Sequence, residues 1–352
     1  MSRRVGLPVP TAKEQLQKPA VADLTGALQA SPPGAPGSID GKGVGIENDT
    51  DPITFLVAGD TGGVKDPTPQ QAVVDAMIAD PGRAAFFYHL GDVVYYNGDE
   101  NQYASQFGEP NAHLVMPTVS IPGNHDGWPD PTITDLLRTG ISTWMENFCA
   151  KGPAIPSWDE GNEYGRDTQT QPYCDWTLAL EAVTIIGLWS NVPSGGHLYA
   201  SQTAFLALQL EAAPKDRPLI VALHHPPYSI DAHHGGSQKM GDALDQTFRQ
   251  ANRTPNLVLS GHVHDYQRFS REATTDPITY LVSGNGGYHN LHQLAPGANP
   301  GDELAPGVTF EAGDDKNWGY VRLTASKEKG ITGTYIAVAA DGTTKEADSF
   351  TC

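Results

Sequence analysis

Five apolar runs in this chain each stop at a side chain that can ligate a metal. Ile53 to Ala58 runs into Gly59-Asp60-Thr61-Gly62, and Phe86 to Leu90 runs into Gly91-Asp92. Val115 to Ile121 is followed by Gly123-Asn124-His125-Asp126. Leu219 to Leu223 ends at His224-His225, and Leu257 to Leu259 at Gly261-His262-Val263-His264. An apolar run of this length that meets a Gly-rich turn reads as a buried strand. In open α/β sheets the carboxyl ends of the strands are where ligands bind. The pattern therefore demands a fold that brings five strand ends to one place.

The remaining sequence fits such a fold. Val73, Val74, Met77 and Ile78 form a helical stripe between the first two runs, stopped by Asp80-Pro81-Gly82, which makes a βαβ unit. Glu100 to Gly108 reads as helical, and a further helix is expected around Ile141 to Cys149. Thr177 to Leu180 and Val183 to Trp189 read as a hairpin. Ser201 to Ala213 and Met240 to Ala251 are amphipathic helices, and Ile278 to Ser283 is a strand. Gly319 to Thr324 and Ile331 to Ala339 read as a closing antiparallel pair. The expected fold is a two-sheet α/β/β/α sandwich with its site at the strand ends. Residues 1–50, rich in Pro and Gly, read as an extended arm with a short helix near Val21 to Gln29. Residues 51–352 read as one domain, with a polar insertion at about 128–172.

Charge narrows the partners. The 352 residues include 22 basic and 41 acidic ones, for a net charge of −19. That disfavours a nucleic-acid surface or an anionic membrane surface. It would also repel a phosphate unless local cations reverse the field. No apolar run reaches the ~20 residues that span a bilayer. Val5 to Pro10 is too short for a signal sequence, so the compartment stays open between the cytoplasm and secretion after removal of a signal. Cys149 and Cys174 flank a polar loop and either pair, in an oxidising compartment, or stay free thiols with Cys352.

Each motif is weak alone, because a Gly-Asp after a strand is commonly just a turn. Asp92 gains weight from Tyr95, three residues on, which faces the same way if a helical turn begins there. His262 and His264 lie two apart, on one side of an extended segment. Such a mixture of oxygen and nitrogen donors suits first-row divalent and trivalent metals. More than four ligands points to two ions, the usual device for displacement at phosphorus.

The order Asp-x-Gly, Gly-Asp-x-x-Tyr, Gly-Asn-His-Asp, Val-x-x-His, Gly-His-x-His resembles the calcineurin-like metallophosphoesterases, and more narrowly their purple acid phosphatase branch. The narrower likeness rests on a swap: Gly62 stands where the wider superfamily usually has a ligating His, and Tyr95 supplies a ligand instead. The resemblance implies Fe(III) held by Asp60, Tyr95 and His264 and a divalent ion (Fe, Zn or Mn) held by Asn124, His224 and His262, with Asp92 bridging. It implies hydrolysis of small phosphate monoesters by a metal-held hydroxide. His125 would act on the leaving oxygen, with Asp126 orienting its ring. One of His233 and His234, with His234 preferred, would contact substrate. His225 would support the ligands. Tyr288, His289 and His292 either reach the rim or lie in a surface loop. The same metal core also serves phosphodiesterases, and an inactive phosphate-binding module is the alternative of another class. The plant-type N-terminal β-sandwich has no counterpart in a 50-residue arm.

Overall fold

Residues 37–127, 140–190, 196–272 and 277–352 are described by the computed structural model. In chain order the first strands are β1 (Ser38–Asp40), β2 (Ile53–Ala58), β3 (Phe87–His89), β4 (Thr118–Ser120) and β5 (Trp176–Ala179). They continue with β6 (Thr184–Leu188), β7 (Leu219–Leu223), β8 (Leu257–Ser260), β9 (Tyr266–Arg271) and β10 (Ile278–Ser283). The last are β11 (Glu303–Ala305), β12 (Val308–Asp314), β13 (Trp318–Ser326), β14 (Gly330–Val338) and β15 (Thr344–Thr351). The α-helices are α1 (Thr68–Ile78), α2 (Gly140–Phe148), α3 (Ala200–Ala212) and α4 (Gln238–Gln250).

Side-chain alternation explains the layers. In β2, Phe55 and Val57 point into the core between two sheets, while Leu56 and Ala58 point out toward α1. In β7, Ile220 and Ala222 point inward, and Leu219, Val221 and Leu223 meet α3 and α4. Both strands are apolar on both faces because both faces are covered. One sheet has the order β15-β14-β13-β2-β3-β4, and the other β1-β5-β6-β7-β8-β10-β9-β12-β11. The result is the expected α/β/β/α sandwich. Strands β2, β3 and β4 run parallel, as do β6, β7 and β8. Each sheet therefore delivers several carboxyl ends to one edge.

Three expectations change. The arm does not extend to residue 50: β1 pairs with β5, and Val44 and Ile46 are buried in the inter-sheet core. Those two apolar side chains anchor a stretch that its Pro and Gly content disguises. The helix expected at 21–29 lies outside the described residues, as does the start of the insertion. No regular helix forms from Glu100 to Gly108; a 3₁₀ turn (Glu100–Gln102) and a π turn (Ala104–Gly108) share it. The helical turn that would pair Asp92 with Tyr95 is also missing, because the backbone after Asp92 is bound by a side chain instead, as shown below. β15 escaped the sequence reading because it is a largely exposed, charged edge strand with little apolar signal.

Cys149, Cys174 and Cys352 are free thiols, and Cys149 and Cys174 share one cluster with Trp144 and Phe148. Among the described residues no helix is long and apolar enough to cross a membrane.

Leu259 tests the inter-sheet core, where it is fully buried. Leu259→Ala should cost about 2–5 kcal/mol in denaturant unfolding. A loss under about 1 kcal/mol would show that the two sheets do not close over it.

Candidate metal centre

The strand ends meet through their backbones first. Asp60 N–H donates to Gly91 O at 2.9 Å, and Gly261 N–H to His224 O at 2.9 Å. Three of the expected ligands adopt left-handed backbone: Asp60 at φ 58°, Asp92 at φ 55° and His262 at φ 69°. Such non-glycine conformations cost about 1–3 kcal/mol each and cluster at functional sites. The bends fall just past the ends of β2, β3 and β8, where these donor side chains stand. Gly123 has to be glycine, because a Cβ there would lie 2.1 Å from Asp92 Oδ1.

Two donor groups result. In the first, Tyr95 Oη lies 3.1 Å from Asp60 Oδ1 and 3.2 Å from His264 Nε2. His264 Nε2 is 3.4 Å from the same Asp60 oxygen. In the second, His224 Nε2 lies 3.3 Å from Asp92 Oδ2 and 3.1 Å from Asn124 Oδ1. His262 Nδ1 is 2.9 Å from Asn124 Oδ1. Candidate ligand atoms of Asp92, His224 and His262 all fall within 4.8 Å of one another. Asp60 ties the groups together, since its Oδ2 accepts from His262 N–H at 2.8 Å.

The tautomers fit metal ions. His224 Nδ1 donates to Leu90 O at 2.8 Å, and His264 Nδ1 to Asn290 O at 3.1 Å. In the neutral ring each Nε2 then has a lone pair facing carboxylate oxygens. Carbonyl partners of this kind are how metal-binding imidazoles are aimed. Acceptors facing acceptors need a cation between them, either a proton or a metal.

Electrostatics adds to that need. Burial pushes the Asp60 carboxyl up to about 7, against the pull of His224. Burial opposes the charge on Asp92 too, but His224 and His125 outweigh it and hold the carboxyl below its usual range. For His224, burial disfavours the charge, yet Asp92 and Asp60 raise it to about 9. Burial drives His264 down to about 3 and His262 well below its usual value. The Tyr95 phenol is pushed well above its ordinary value by burial, then by Asp60 and Asp92. The protein alone supplies one imidazolium to two buried carboxylates.

Tyr95 is held by a device the sequence reading missed. Gln106 clamps its backbone: Tyr95 N–H donates to Gln106 Oε1, and Gln106 Nε2 donates to Tyr95 O, each at 2.9 Å. Gln70 Nε2 in turn donates to the Gln106 carbonyl at 2.6 Å. Gly62 packs directly on this assembly. A Cβ at 62 would sit 2.5 Å from Gln106 Oε1 and 2.8 Å from Tyr95 Cδ2. Glycine at 62 and tyrosine at 95 are thus linked sterically, which is a physical reason for the swap read in the sequence.

Asp126 does not orient His125. Its carboxylate accepts from the N–H groups of Asp92, Gly123, Val93 and Val94 at 2.8 to 3.4 Å. It binds the backbone that follows Asp92 and replaces the helical turn expected there. The His125 ring is oriented by a carbonyl instead, with Nδ1 2.6 Å from Tyr96 O. Its main-chain N–H donates to Asp92 Oδ1 at 2.8 Å, and its ring lies 4.5 Å from that of Tyr95.

Further imidazoles line one side. The half-buried His234 ring lies 4.5 Å from that of His262, whereas His233 is exposed and lies 5.0 Å from His292. Asp231 Oδ1 accepts from the N–H groups of His233, His234 and Gly235 and sets the shape of this turn. Its Oδ2 meets His292 Nδ1 at 2.9 Å, and the His292 ring stacks on His264 at 4.3 Å. His292 therefore belongs to the site, although spacing alone left it undecided between rim and loop. Tyr288 packs at 4.3 Å on the Tyr95 ring, and His225 is fixed by Ser190 Oγ at 2.9 Å. His89 was missed because it lies inside the strand: its Nε2 meets Thr61 Oγ1 at 2.8 Å, just behind Asp60. A larger cavity, about 780 Å³, lies against Lys42 and Arg166 and includes none of the expected ligands.

The calcineurin-like phosphoesterase family model matches residues 53–266, and the chain belongs to that family. It is 26% identical over 186 residues to a probable cyclic nucleotide phosphodiesterase of Rhodopseudomonas palustris, covering 51% of this chain and 57% of that protein. It is 35% identical over 89 residues to purple acid phosphatase 22 of Arabidopsis thaliana, covering 23% of this chain and 20% of that one. The chain thus spans about half, or less, of the length of these relatives. The purple acid phosphatase PPD1 of yellow lupin seeds shares the fold, with a TM-score of 0.60 at 17% identity over 86% of this chain and 54% of that one.

The packing at Gly62 gives a direct test. Gly62→Ala should destabilise the protein by about 1–3 kcal/mol in denaturant unfolding, the usual cost of overpacking. Unchanged stability in that variant would mean that Gly62 does not pack tightly against Tyr95 and Gln106.

Proposed function

We propose that this chain hydrolyses phosphate monoesters at a dinuclear metal centre of the purple acid phosphatase kind. The observation that carries the reading is the meeting of all seven expected ligands in two linked groups: Asp60, Tyr95 and His264 in one, and Asn124, His224 and His262 in the other, with Asp92 beside the second. Fe(III) suits the first group, because a trivalent ion favours anionic oxygen and would stabilise a tyrosinate that burial alone forbids. Fe, Zn or Mn suits the second, which is richer in nitrogen. When bound, two such ions supply a nucleophile at neutral pH and neutralise charge on the phosphoryl group.

The chain's own residues supply the rest. Asp92 Oδ1 accepts the N–H of His125, and the His125 ring lies 4.5 Å from that of Tyr95, beside the reacting centre. Its Nδ1 donates to the Tyr96 carbonyl, which orients the ring, and the ring serves the departing alcohol oxygen in this reading. His234, held by Asp231, is positioned to meet a phosphoryl oxygen, and His233 stands outside it. Asp126 is a positioning residue that binds the Asp92 and Asn124 loops to each other.

Phosphodiester hydrolysis is a second reading, favoured by the relative in Rhodopseudomonas palustris. An inactive phosphate-binding module would be expected to have lost ligands, and this chain has none missing from the pattern.

Metal-replete protein should release inorganic phosphate from aryl and alkyl monoesters, faster than it opens the matching diesters. A protein that cleaves only diesters would favour the second reading, and one that cleaves neither would sink both. His125→Ala should lower kcat by about 10²–10⁴-fold with metal content retained, the usual worth of a positioned acid. Asp92→Asn should instead lose metal by elemental analysis. If both variants keep wild-type turnover, the roles assigned to them are wrong. A tyrosinate on Fe(III) absorbs visible light, so Tyr95→Phe should bleach the protein, and an equally coloured variant would exclude Tyr95 as the ligand.

A further inference from the structure

A cleft of about 540 Å³ opens next to the metal centre, against Val64, Tyr96, Asn97, Asp99, Gln102 and His125. We propose that it receives the alcohol portion of the substrate and selects a planar, uncharged aromatic alcohol. This inference rests on the phosphomonoesterase reading above.

Position comes first. His125 is the wall shared by the cleft and the metal centre: its N–H holds Asp92, and its ring Nδ1 meets the Tyr96 carbonyl. A phosphoryl group at the metals puts the ester oxygen beside His125. The remainder of the alcohol then extends into the cleft.

The wall chemistry fits an aromatic. Tyr96 is 44% exposed, an unusual state for a large ring beside a buried site. Its ring stands edge-on to Tyr95, at 6.1 Å and 78°. The His125 ring packs against it on another side, at 6.1 Å and 65°. A fixed aromatic face open to the cleft is a stacking platform. Val64 adds apolar surface, and the amides of Asn97 and Gln102 add neutral hydrogen-bonding groups.

Charge sets the other limit. Among the described residues lining the cleft there is no Lys or Arg, and one carboxylate, Asp99. Asp99 is held in place by accepting from Asn101 N–H at 3.0 Å. A carboxylate or second phosphate on the alcohol would find no counter-charge among these described residues. It would face Asp99 within a protein of net charge −19.

The test compares kcat/KM of the metal-replete enzyme for phenyl phosphate, glycerol phosphate and para-carboxyphenyl phosphate. Ratios within one enzyme, compared between enzymes, remove the intrinsic reactivity of each ester. Tyr96→Ala should lower the phenyl-to-glycerol ratio about tenfold, the size of a lost stacking contact. Asp99→Asn should raise the carboxyphenyl-to-phenyl ratio about fivefold, the size of one near charge in water. Asparagine keeps the capping acceptor, so this variant decides the matter if Tyr96→Ala does not fold. If wild type cleaves the esters and neither ratio moves, the assignment of the cleft is overturned and the phosphatase reading stands. If wild type releases no phosphate from any of the three, the phosphatase reading fails and takes this inference with it.

Discussion

Asp60 and Asp92 are completely or almost completely buried at neighbouring strand ends, and the surrounding structure exists to make that tolerable. Two carboxylates in a low-dielectric interior repel each other and lose their hydration. The fold answers with backbone N–H groups, with imidazoles that burial keeps neutral, and with one imidazole, His224, that their charge raises to about 9. That is still too little positive charge for the site. A pair of bound cations would complete it, and the left-handed backbone at Asp60, Asp92 and His262 marks the residues that would hold them.

The neighbouring side chains divide by what they hold. Asp126 gathers four backbone N–H groups and joins the second and third strand ends. Gln106, backed by Gln70, holds the peptide of Tyr95. Asp231 shapes the His234 turn and reaches His292, which stacks on His264. Each support is a buried, hydrogen-bonded polar group, as a preorganised site requires. The support also explains the family-level exchange. With tyrosine at 95 and Gln106 against it, there is no room for a side chain at 62.

Much of this was legible in the sequence because it depends on local pattern. Apolar runs of both parities announced strands covered on both faces, and their termination in Asp, Asn and His announced the ligands. What escaped was what depends on three-dimensional packing. β15 carries charges along an exposed edge, so its strand character lies in its pairing with β14 and not in its composition. Gln106 and Gln70 are ordinary glutamines until Tyr95 is placed beside them. Asp126 differs for the same reason: the resemblance makes it a partner for His125, whereas its carboxylate faces the backbone of Asp92, 34 residues away. Val44 and Ile46 are too few to announce that the first strand lies before them.

In the proposed reading, seven side chains from five strand ends would hold two metal ions, one of them iron. Elemental analysis of the purified, metal-replete chain should then find two tightly held metals per chain, at least one of them iron. One metal per chain, or two with no iron, would rule that reading out.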